Sequence, residues 1–466
     1  MEVRTTIEGF WDVLDRHKGT AVFEGDLRLS YAELSLRMEH FIRQYLSGNK
    51  GLVVLRAANC LNCLVAYLAC LRARWPLMLL DEKVTPNFLH NTTARFKPRL
   101  IIDCSGDETV CSYEANTSTE LWDPQLALLL ATSGSSGDAK WVMLSYSNLQ
   151  ANATSITAYL NILPSDLAIT SLPFAYSYGL SVINSHMLAG AGVLMTRATM
   201  LESAFWESLA SFSVTSLAGV PFQYQVMERI GFRKRHFPDL HTLTQAGGRL
   251  EDSLVELYTQ DALIKNRRFF VMYGQTEATA RIAYCPMHEA PHKLGTIGIA
   301  IPGGELELEN EDGQPVTQTG IVAELIYNGP NVMMGYAKDA HDLIVNGKLS
   351  DRLHTGDLAL RDDDGYYYLK GRISRIVKVV GKRWDLDSLE KSLLDYGFIT
   401  KVAGRDDSIV FAVETGHLEV LKKVLHTQFR LPLGYFSVLS VPEFPRTTNG
   451  KIDYQAILAL DNDTLD

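Results

Sequence analysis

Short apolar runs alternate with stretches of helical periodicity along most of the chain. Ser30 and Glu33 form a capping box, and apolar residues then recur at helical spacing as far as Tyr45. The run GLVVLRA from Gly51 predicts a buried strand, and residues 60–74 predict the next helix. Strands that alternate with helices in this way are typical of α/β layers built on largely parallel sheets.

The same alternation continues through the first 290 or so residues. It predicts a helix at Ser147–Leu160 and strands at Pro76–Leu80, Arg99–Ile102, Leu167–Leu172, Gly192–Thr196 and Arg268–Met272. From Gly295 the pattern changes to short β runs with frequent Gly and Pro turns. We therefore expect an α/β fold class with a large N-terminal domain, residues 1–371, that includes a small β subdomain at about 295–371. A small α+β C-terminal domain, residues 372–466, should follow.

Composition and charge exclude several classes of protein. A chain of 466 residues exceeds the size of one compact core, so more than one domain is expected. A net charge of −10 argues against a nucleic-acid partner bound by phosphate neutralisation. No apolar run reaches the length of a signal peptide or of a membrane span, so a cytoplasmic location is expected. Six cysteines are too few for a disulfide framework, and Cys60 and Cys63 are interpreted as helix core residues rather than zinc ligands.

The most informative segment is LLLATSGSSGDAK, where an apolar run ends in a loop rich in Gly, Ser and Thr. Glycines let backbone N–H groups approach phosphate oxygens, hydroxyls add donors, and Lys140 adds a positive charge. The spacing excludes a Walker A loop, because Asp138 and Ala139 separate the last glycine from the lysine. The loop alone does not exclude a flexible turn that binds nothing.

Four further segments carry candidate chemistry. Tyr273–Glu277, at a strand end, offers an aromatic ring for a base, a hydroxyl for phosphate and a carboxylate for Mg²⁺. Asp357 follows a glycine turn and could accept hydrogen bonds from ribose hydroxyls. Gly371–Arg372 precedes Lys378 and Gly381, and Lys451 lies on a turn near the C-terminus. Each segment alone is equally consistent with an ordinary junction, turn or solvated charge.

Taken together, the order and spacing of these five segments resemble the adenylate-forming superfamily. Acyl-CoA synthetases, peptide-synthetase adenylation domains and firefly luciferase belong to it, and the resemblance extends from Tyr31 to Lys451. It implies that ATP activates a carboxylic acid to an acyl adenylate with release of pyrophosphate. It also implies transfer of the acyl group to a phosphopantetheine thiol, on coenzyme A or on an acyl carrier protein, after a large swing of a mobile C-terminal domain.

The resemblance also implies roles for individual residues. The ATP site would comprise Thr132, Ser133, Gly134, Ser135, Ser136, Gly137, Lys140, Gly247, Gly248, Tyr273, Gly274, Thr276, Asp357 and Arg372. Glu277 would hold Mg²⁺, and Lys451 would be the catalytic lysine that bridges the acid and the α-phosphate. Ser374 would lie at the domain hinge, and Gly381 would line the tunnel for the thiol.

The matching segments further imply where the acid binds. The acyl pocket would include Ala175, Tyr176, Ser177, Gly219 and Val220. The stretch FAYS has no carboxylate where amino-acid-activating members carry an aspartate, so an α-amino acid is disfavoured and a fatty, aryl or other neutral acid is expected. Four residues depart from the usual family residues: Ala139, Trp141, Tyr176 and Ser374. Two alternatives stay open: an adenylating ligase with a non-thiol acceptor, and a non-catalytic nucleotide-binding protein with the same fold.

Overall fold

A computed structural model describes residues 7–106, 108–113, 122–131, 140–344, 350–380, 382–414, 418–447 and 451–462. Within these ranges the α-helices are α1 (Tyr31–Tyr45), α2 (Leu61–Ala73), α3 (Pro86–Phe96), α4 (Tyr146–Leu160), α5 (Ser177–Ala189), α6 (Ser203–Ser211), α7 (Pro221–Arg229), α8 (Asp252–Ile264), α9 (Leu386–Asp395), α10 (Leu418–Thr427) and α11 (Tyr454–Asn462). Short 3-10 helices lie at Phe10–Asp12, Leu14–Arg16, Phe232–Lys234, Thr276–Ala278, Ala340–Leu343 and Ile373–Arg375.

The strands of the described residues are, in chain order, β1 (Thr20–Glu24), β2 (Leu27–Ser30), β3 (Val53–Ala57), β4 (Leu77–Asp81), β5 (Leu100–Asp103), β6 (Val110–Tyr113), β7 (Leu126–Ala131), β8 (Trp141–Ser145), β9 (Leu167–Ile169), β10 (Gly192–Leu194), β11 (Ser216–Gly219), β12 (Thr242–Gln245), β13 (Arg268–Tyr273), β14 (Ala283–Tyr284), β15 (Ile299–Ala300), β16 (Glu305–Glu309), β17 (Ala323–Asn328), β18 (Gly335–Ala337), β19 (Arg352–Arg361), β20 (Tyr367–Arg372), β21 (Ile376–Val379), β22 (Lys382–Asp385), β23 (Thr400–Arg405), β24 (Ser408–Val413) and β25 (Phe436–Ser440).

The chain divides into two compact units. Unit 1 comprises Met1–Leu306 and Tyr327–Leu353, and unit 2 comprises Glu307–Ile326 and His354–Asp466. The mixture of helices and sheets confirms the α/β fold class. The domain boundary at residues 371–372 stays a prediction.

Unit 1 contains two large sheets, and the central strands of each sheet run parallel to one another. One has the strand order β15-β14-β13-β12-β11-β9-β10-β1-β2, and the other β18-β8-β7-β4-β3-β5-β6. In the first sheet the run from β13 to β1 is parallel. In the second, β7, β4, β3 and β5 are parallel, while β8 and β18 add antiparallel strands beside β7. The parallel strands place their carboxyl-end loops along one edge of each sheet, where ligands bind in such folds.

A large apolar core joins helices α1, α2, α4 and α5 of unit 1 to the seven-stranded sheet. It contains Leu34 of α1, Leu68 of α2, Leu149 of α4 and Ile183 of α5, packed with Leu55 of β3. The cysteines of α2 belong to the same interior, and burial raises the pKa of the Cys63 thiol. That environment agrees with the interpretation of these cysteines as core residues.

The beginnings of the helices follow local chemistry. Ser30 accepts a hydrogen bond from the Glu33 N–H while the Glu33 carboxylate accepts one from the Ser30 N–H, as the capping box predicts. The predicted strand at Leu167–Leu172 is shorter in the structure and ends at Ile169. It ends there because the Ser171 N–H donates back to the Ile169 carbonyl at 3.0 Å instead of to a neighbouring strand.

Unit 2 holds most of the four-stranded sheet β16-β17-β19-β20, together with the hairpin β21-β22 and the sheet β23-β24-β25. Helices α9 and α10 pack on the last sheet around a core that includes Leu393, Phe411 and Leu421. Arg375 is buried and paired with Asp387 and Glu390 of α9, which ties the segment after β20 to this core. None of the helices in the described ranges is long and apolar enough to cross a membrane.

Candidate active site

Three adjacent parallel strands of unit 1 end side by side. Gly219 of β11 is in register with Gln245 of β12, which is in register with Val271 of β13. Val220 follows β11 directly, and Gly247 and Gly248, which match the family's adenine segment, follow β12. Tyr273, which is buried, is the last residue of β13. The predicted acyl-pocket and adenine residues therefore lie at one sheet edge.

Gly247 is the point where these segments meet. It has a φ of +83°, and a Cβ atom there would lie 2.5 Å from Tyr176 Oη and 3.0 Å from Val220 Cγ1. Its neighbour Gly248 packs against Pro221 in a similar way. Tyr176 and Val220, two predicted acyl-pocket residues, are thus in contact with the predicted adenine segment, and the contact requires a glycine.

The loop after β13 is held by close backbone packing. A Cβ atom on Gly274 would overlap the carbonyl oxygen of Ala280. Asn331, which is 1% exposed, donates to the carbonyls of Ala278 and Arg281 and accepts from Tyr327 Oη at 2.6 Å. No sequence motif points to Asn331, since an asparagine in a turn-rich stretch has no local sign of this role. The hydrogen bonds of Asn331 and the close packing of Gly274 fix the backbone of the loop that carries Thr276 and Glu277.

Thr276 lies beside the beginning of α5. Its Oγ1 is 3.4 Å from Oγ of Ser177, the first residue of that helix. The N–H groups at a helix N-terminus favour negative charge. Both hydroxyls are therefore at a place suited to an anionic oxygen, and Ser177, predicted for the acyl pocket, follows directly after Tyr176 in the chain.

Glu277 and Lys140 are brought together through Tyr336. The Tyr336 hydroxyl donates to Glu277 Oε1 at 2.9 Å, and Lys140 Nζ lies 5.5 Å from the centre of the Tyr336 ring. Burial, together with the Glu277 charge, raises the pKa of Tyr336, so its phenol stays protonated and can donate. Tyr336 was not predicted from the sequence. It is on β18, a strand that pairs with β8, which begins directly after Lys140.

Trp141, the unusual residue after this lysine, has a packing role. It is 2% exposed on β8 and meets Phe96 edge-on, with ring centres 6.0 Å apart. Its side chain belongs to an apolar cluster with Val54 of β3 and Met78 of β4, so it anchors the strand that begins directly after Lys140. Residues Thr132–Gly137 of the predicted phosphate loop lie outside the described residues.

In unit 2, Asp357 and Arg372 form an ion pair. They are directly opposite each other on β19 and β20, and Arg372 Nε lies 2.5 Å from Asp357 Oδ1. The Asp357 side chain is 3% exposed and that of Arg372 is 55% exposed. The arginine thus holds the buried carboxylate in one orientation while its own guanidinium remains accessible.

Lys451 of unit 2 is hydrogen-bonded to Thr447. The Lys451 N–H donates to Thr447 Oγ1 at 3.2 Å, and the Thr447 N–H donates to the Lys451 carbonyl at 2.8 Å. Ser374 is exposed within the short helix Ile373–Arg375. Gly381, predicted for the thiol tunnel, lies outside the described residues. The assigned roles of Lys451, Ser374 and Gly381 therefore stay predictions.

The comparison with protein families decides the classification. Residues 10–337 match the family described as AMP-binding enzyme. The chain belongs to this family. This match confirms the resemblance to the adenylate-forming superfamily that the sequence motifs indicate. The matched residues cover unit 1 almost completely.

Individual relatives are more distant. The chain is 27% identical over 346 residues to a long-chain-fatty-acid–CoA ligase of Salmonella typhimurium, covering 70% of this chain and 60% of that protein. It is 29% identical over 283 residues to a sulfoacetate–CoA ligase of Cupriavidus necator, covering 59% of this chain and 53% of that protein. The chain thus spans little more than half the length of these relatives.

The fold is that of solved adenylate-forming enzymes. The structure of O-succinylbenzoate coenzyme A synthetase from Bacillus subtilis in complex with AMP matches with a TM-score of 0.76, covering 96% of this chain and 98% of that one. Sequence identity is 21%, so this likeness concerns the fold.

Proposed function

We propose that the protein activates a carboxylic acid with ATP, forming an acyl adenylate and pyrophosphate, and then transfers the acyl group to a phosphopantetheine thiol. The convergence of Lys140, Thr276 and Glu277 around Tyr336 and the start of α5 carries this proposal. It supplies a cation, hydroxyl donors and a carboxylate at the carboxyl ends of parallel strands, in a chain of the AMP-binding enzyme family.

Such a site suits the chemical problem. A carboxylic acid is ionised at pH 7, so its attack on the α-phosphorus needs no general base. The difficulty is that one anion must approach a polyanion, and the remedy is positive charge and oriented donors near the phosphates. Lys140 and the N–H groups at the beginning of α5 provide these, and Lys451 is assigned the same role towards the acid and the α-phosphate.

A single carboxylate is compatible with Mg²⁺. This ion is usually held by one or two carboxylates together with substrate phosphates and water molecules. Glu277 fits this requirement, since its carboxylate is oriented by the Tyr336 hydroxyl and follows directly after Thr276. Bound there, Mg²⁺ would neutralise charge on the phosphates of ATP.

The ion pair of Asp357 and Arg372 suits a ribose. A buried carboxylate fixed by an arginine can accept hydrogen bonds from two neighbouring hydroxyls, and the exposed guanidinium can add donors. Tyr273, Gly247 and Gly248 are assigned to adenine, with Gly274 shaping the turn between them and Thr276.

The acid substrate and the acyl acceptor are proposed as chemical classes. Ala175, Tyr176, Ser177, Gly219 and Val220 would form the acyl pocket, and no carboxylate among them would pair with an ammonium, so an α-amino acid is disfavoured. The relatives are named for acids as different as long-chain fatty acids and sulfoacetate, and both names contain CoA. Coenzyme A is therefore proposed as the first acceptor to test, with an acyl carrier protein as the second.

The direct test is acid-dependent exchange of labelled pyrophosphate into ATP across a panel of acids, followed by thioester formation with coenzyme A or a carrier protein. Exchange and thioester are expected with at least one acid. Exchange that is followed by acyl transfer only to an amine or a hydroxyl would support the non-thiol ligase instead. Binding of ATP with no exchange on any acid would support a non-catalytic nucleotide-binding protein.

A further inference from the structure

Arg281 is a buried cation close to the proposed acyl pocket. Arg281 is 3% exposed, and its guanidinium lies over the Tyr178 ring, 3.9 Å from the ring centre. No carboxylate of the described residues forms an ion pair with it, and its Nε has no hydrogen-bond partner among them. A buried charge is normally paired, so this arrangement is incomplete in energetic terms.

The groups around Arg281 are tyrosines, which do not neutralise it. Its positive charge acts on the phenols of Tyr159, Tyr176 and Tyr178, but burial outweighs this effect and raises the pKa of Tyr176 to about 12. All three phenols are therefore neutral at pH 7. The Tyr178 ring supplies a cation–π contact, which stabilises the guanidinium without supplying the planar pair of acceptors that it is built to bind.

The same tyrosines connect Arg281 to the proposed acyl pocket. Tyr176 is itself a proposed pocket residue, and its hydroxyl lies against Gly247. Tyr178 Oη is 2.9 Å from Thr244 Oγ1 on β12. The Arg281 backbone is held in place, because its carbonyl accepts hydrogen bonds from the side chains of Asn152 and Asn331. The guanidinium is thus held beside three tyrosines, of which Tyr176 is a proposed pocket residue.

We propose that Arg281 binds a second anionic group of the acid substrate, so that the enzyme activates a carboxylic acid carrying another carboxylate or a sulfonate. This rests on the proposed function. The reacting carboxylate must reach the α-phosphorus, so the anion paired with Arg281 is the other end of the molecule. A carboxylate or a sulfonate presents two oxygens to the guanidinium fork, which completes the pairing of the buried charge. The substrate is then not the neutral acid expected from the sequence.

The test compares matched acids in the pyrophosphate exchange assay. Each dicarboxylic acid is paired with its monomethyl ester and with the monocarboxylic acid of equal chain length, and a sulfonated carboxylic acid is added as a second anion source. Wild-type protein is expected to favour the members with two anions by about 100-fold or more in kcat/KM, because the others leave a buried cation unpaired. The preferred anion, carboxylate or sulfonate, identifies the second group.

Variants then assign the preference to Arg281. Arg281→Met, which keeps most of the side-chain volume, should abolish the preference while exchange with monocarboxylic acids is retained. Arg281→Lys should keep part of it. Arg267→Met is the matched control, since Arg267 is also a buried arginine stacked on an aromatic ring, Phe232, in unit 1. It should leave the preference unchanged, and circular dichroism with ATP binding verifies that every variant is folded.

The outcomes separate this proposal from the one on which it rests. Exchange with no acid at all would refute the proposed function, and the role of Arg281 with it. Wild-type exchange that is equal for the mono- and dianionic acids would overturn the Arg281 proposal alone. Equal loss of both activities in a folded Arg281→Met protein would do the same, because it would mean that the arginine supports the pocket structure or contacts the reacting carboxylate.

Discussion

Replacing Gly247 with alanine tests the contact that joins the adenine segment to the acyl pocket. The glycine has a φ of +83°, a conformation that costs an L-residue about 1–2 kcal/mol. The added methyl group would lie 2.5 Å from Tyr176 Oη and 3.0 Å from Val220 Cγ1, and relief of such overpacking costs about 1–3 kcal/mol. Gly247→Ala should therefore lower the free energy of unfolding of unit 1 by about 2–5 kcal/mol.

Two further variants separate the two causes of this loss of unfolding free energy, backbone strain and overpacking. Gly231 has a φ of +68° and no atom within 4 Å of the position of its Cβ, so Gly231→Ala measures backbone strain alone. Tyr176→Phe removes the clashing hydroxyl, since the ring carbon Cζ lies 3.6 Å away, an ordinary contact distance. In the Gly247→Ala background this change should recover most of the steric loss, which a double-mutant cycle measures directly.

Urea unfolding followed by near-ultraviolet circular dichroism gives the midpoint and slope for each variant under the same conditions. If Gly247→Ala were no more destabilising than Gly231→Ala, the packing of Tyr176 on this segment would be wrong. The same conclusion would follow if Tyr176→Phe left the loss unchanged in the double variant.

Three other changes test the assigned roles. Lys451→Ala should lose acid-dependent pyrophosphate exchange yet still form thioester from a synthetic acyl adenylate; equal loss of both half-reactions would contradict its role. Asp357→Asn should weaken ATP binding roughly 10-fold or more in calorimetry, as expected for loss of a charged hydrogen bond, whereas the exposed Asp363→Asn should not; equal affinities for the two variants would reject the ribose assignment. Tyr336→Phe removes the hydrogen bond to Glu277 and should raise the half-saturating Mg²⁺ concentration of the exchange reaction about 10-fold, with an unchanged value counting against the link.

Local chemistry made much of the fold predictable. The capping box at Ser30 specifies the beginning of α1, and the apolar run before Tyr273 specifies β13, because each signal is contained in a few neighbouring residues. The predicted strand at Leu167–Leu172 was too long because the Ser171 N–H turns back to Ile169 while the Ser171 hydroxyl donates to the Ala218 carbonyl of β11. That partner lies more than twenty residues away, so periodicity carries no information about it.

The contacts within the site were less predictable. Tyr336 reaches Glu277 and Lys140 only because β18 pairs with β8, far earlier in the chain. Arg281 follows the predicted Tyr273–Glu277 segment so closely that it has the sequence context of an ordinary loop residue. Its burial among tyrosines from α4 and from the segment that begins α5 is a tertiary property. Motif order indicated the reaction, whereas the packing shows which further side chains surround the site.

The central claim is that the protein cleaves ATP between the α- and β-phosphates to activate an acid. The most direct measurement is the acid-dependent formation of AMP and pyrophosphate by the purified full chain, with Mg²⁺ and with coenzyme A or a carrier protein as acceptor. We expect AMP and pyrophosphate in equal amounts, together with one thioester per ATP consumed. Formation of ADP and phosphate, or no turnover of ATP with any acid, would contradict the account.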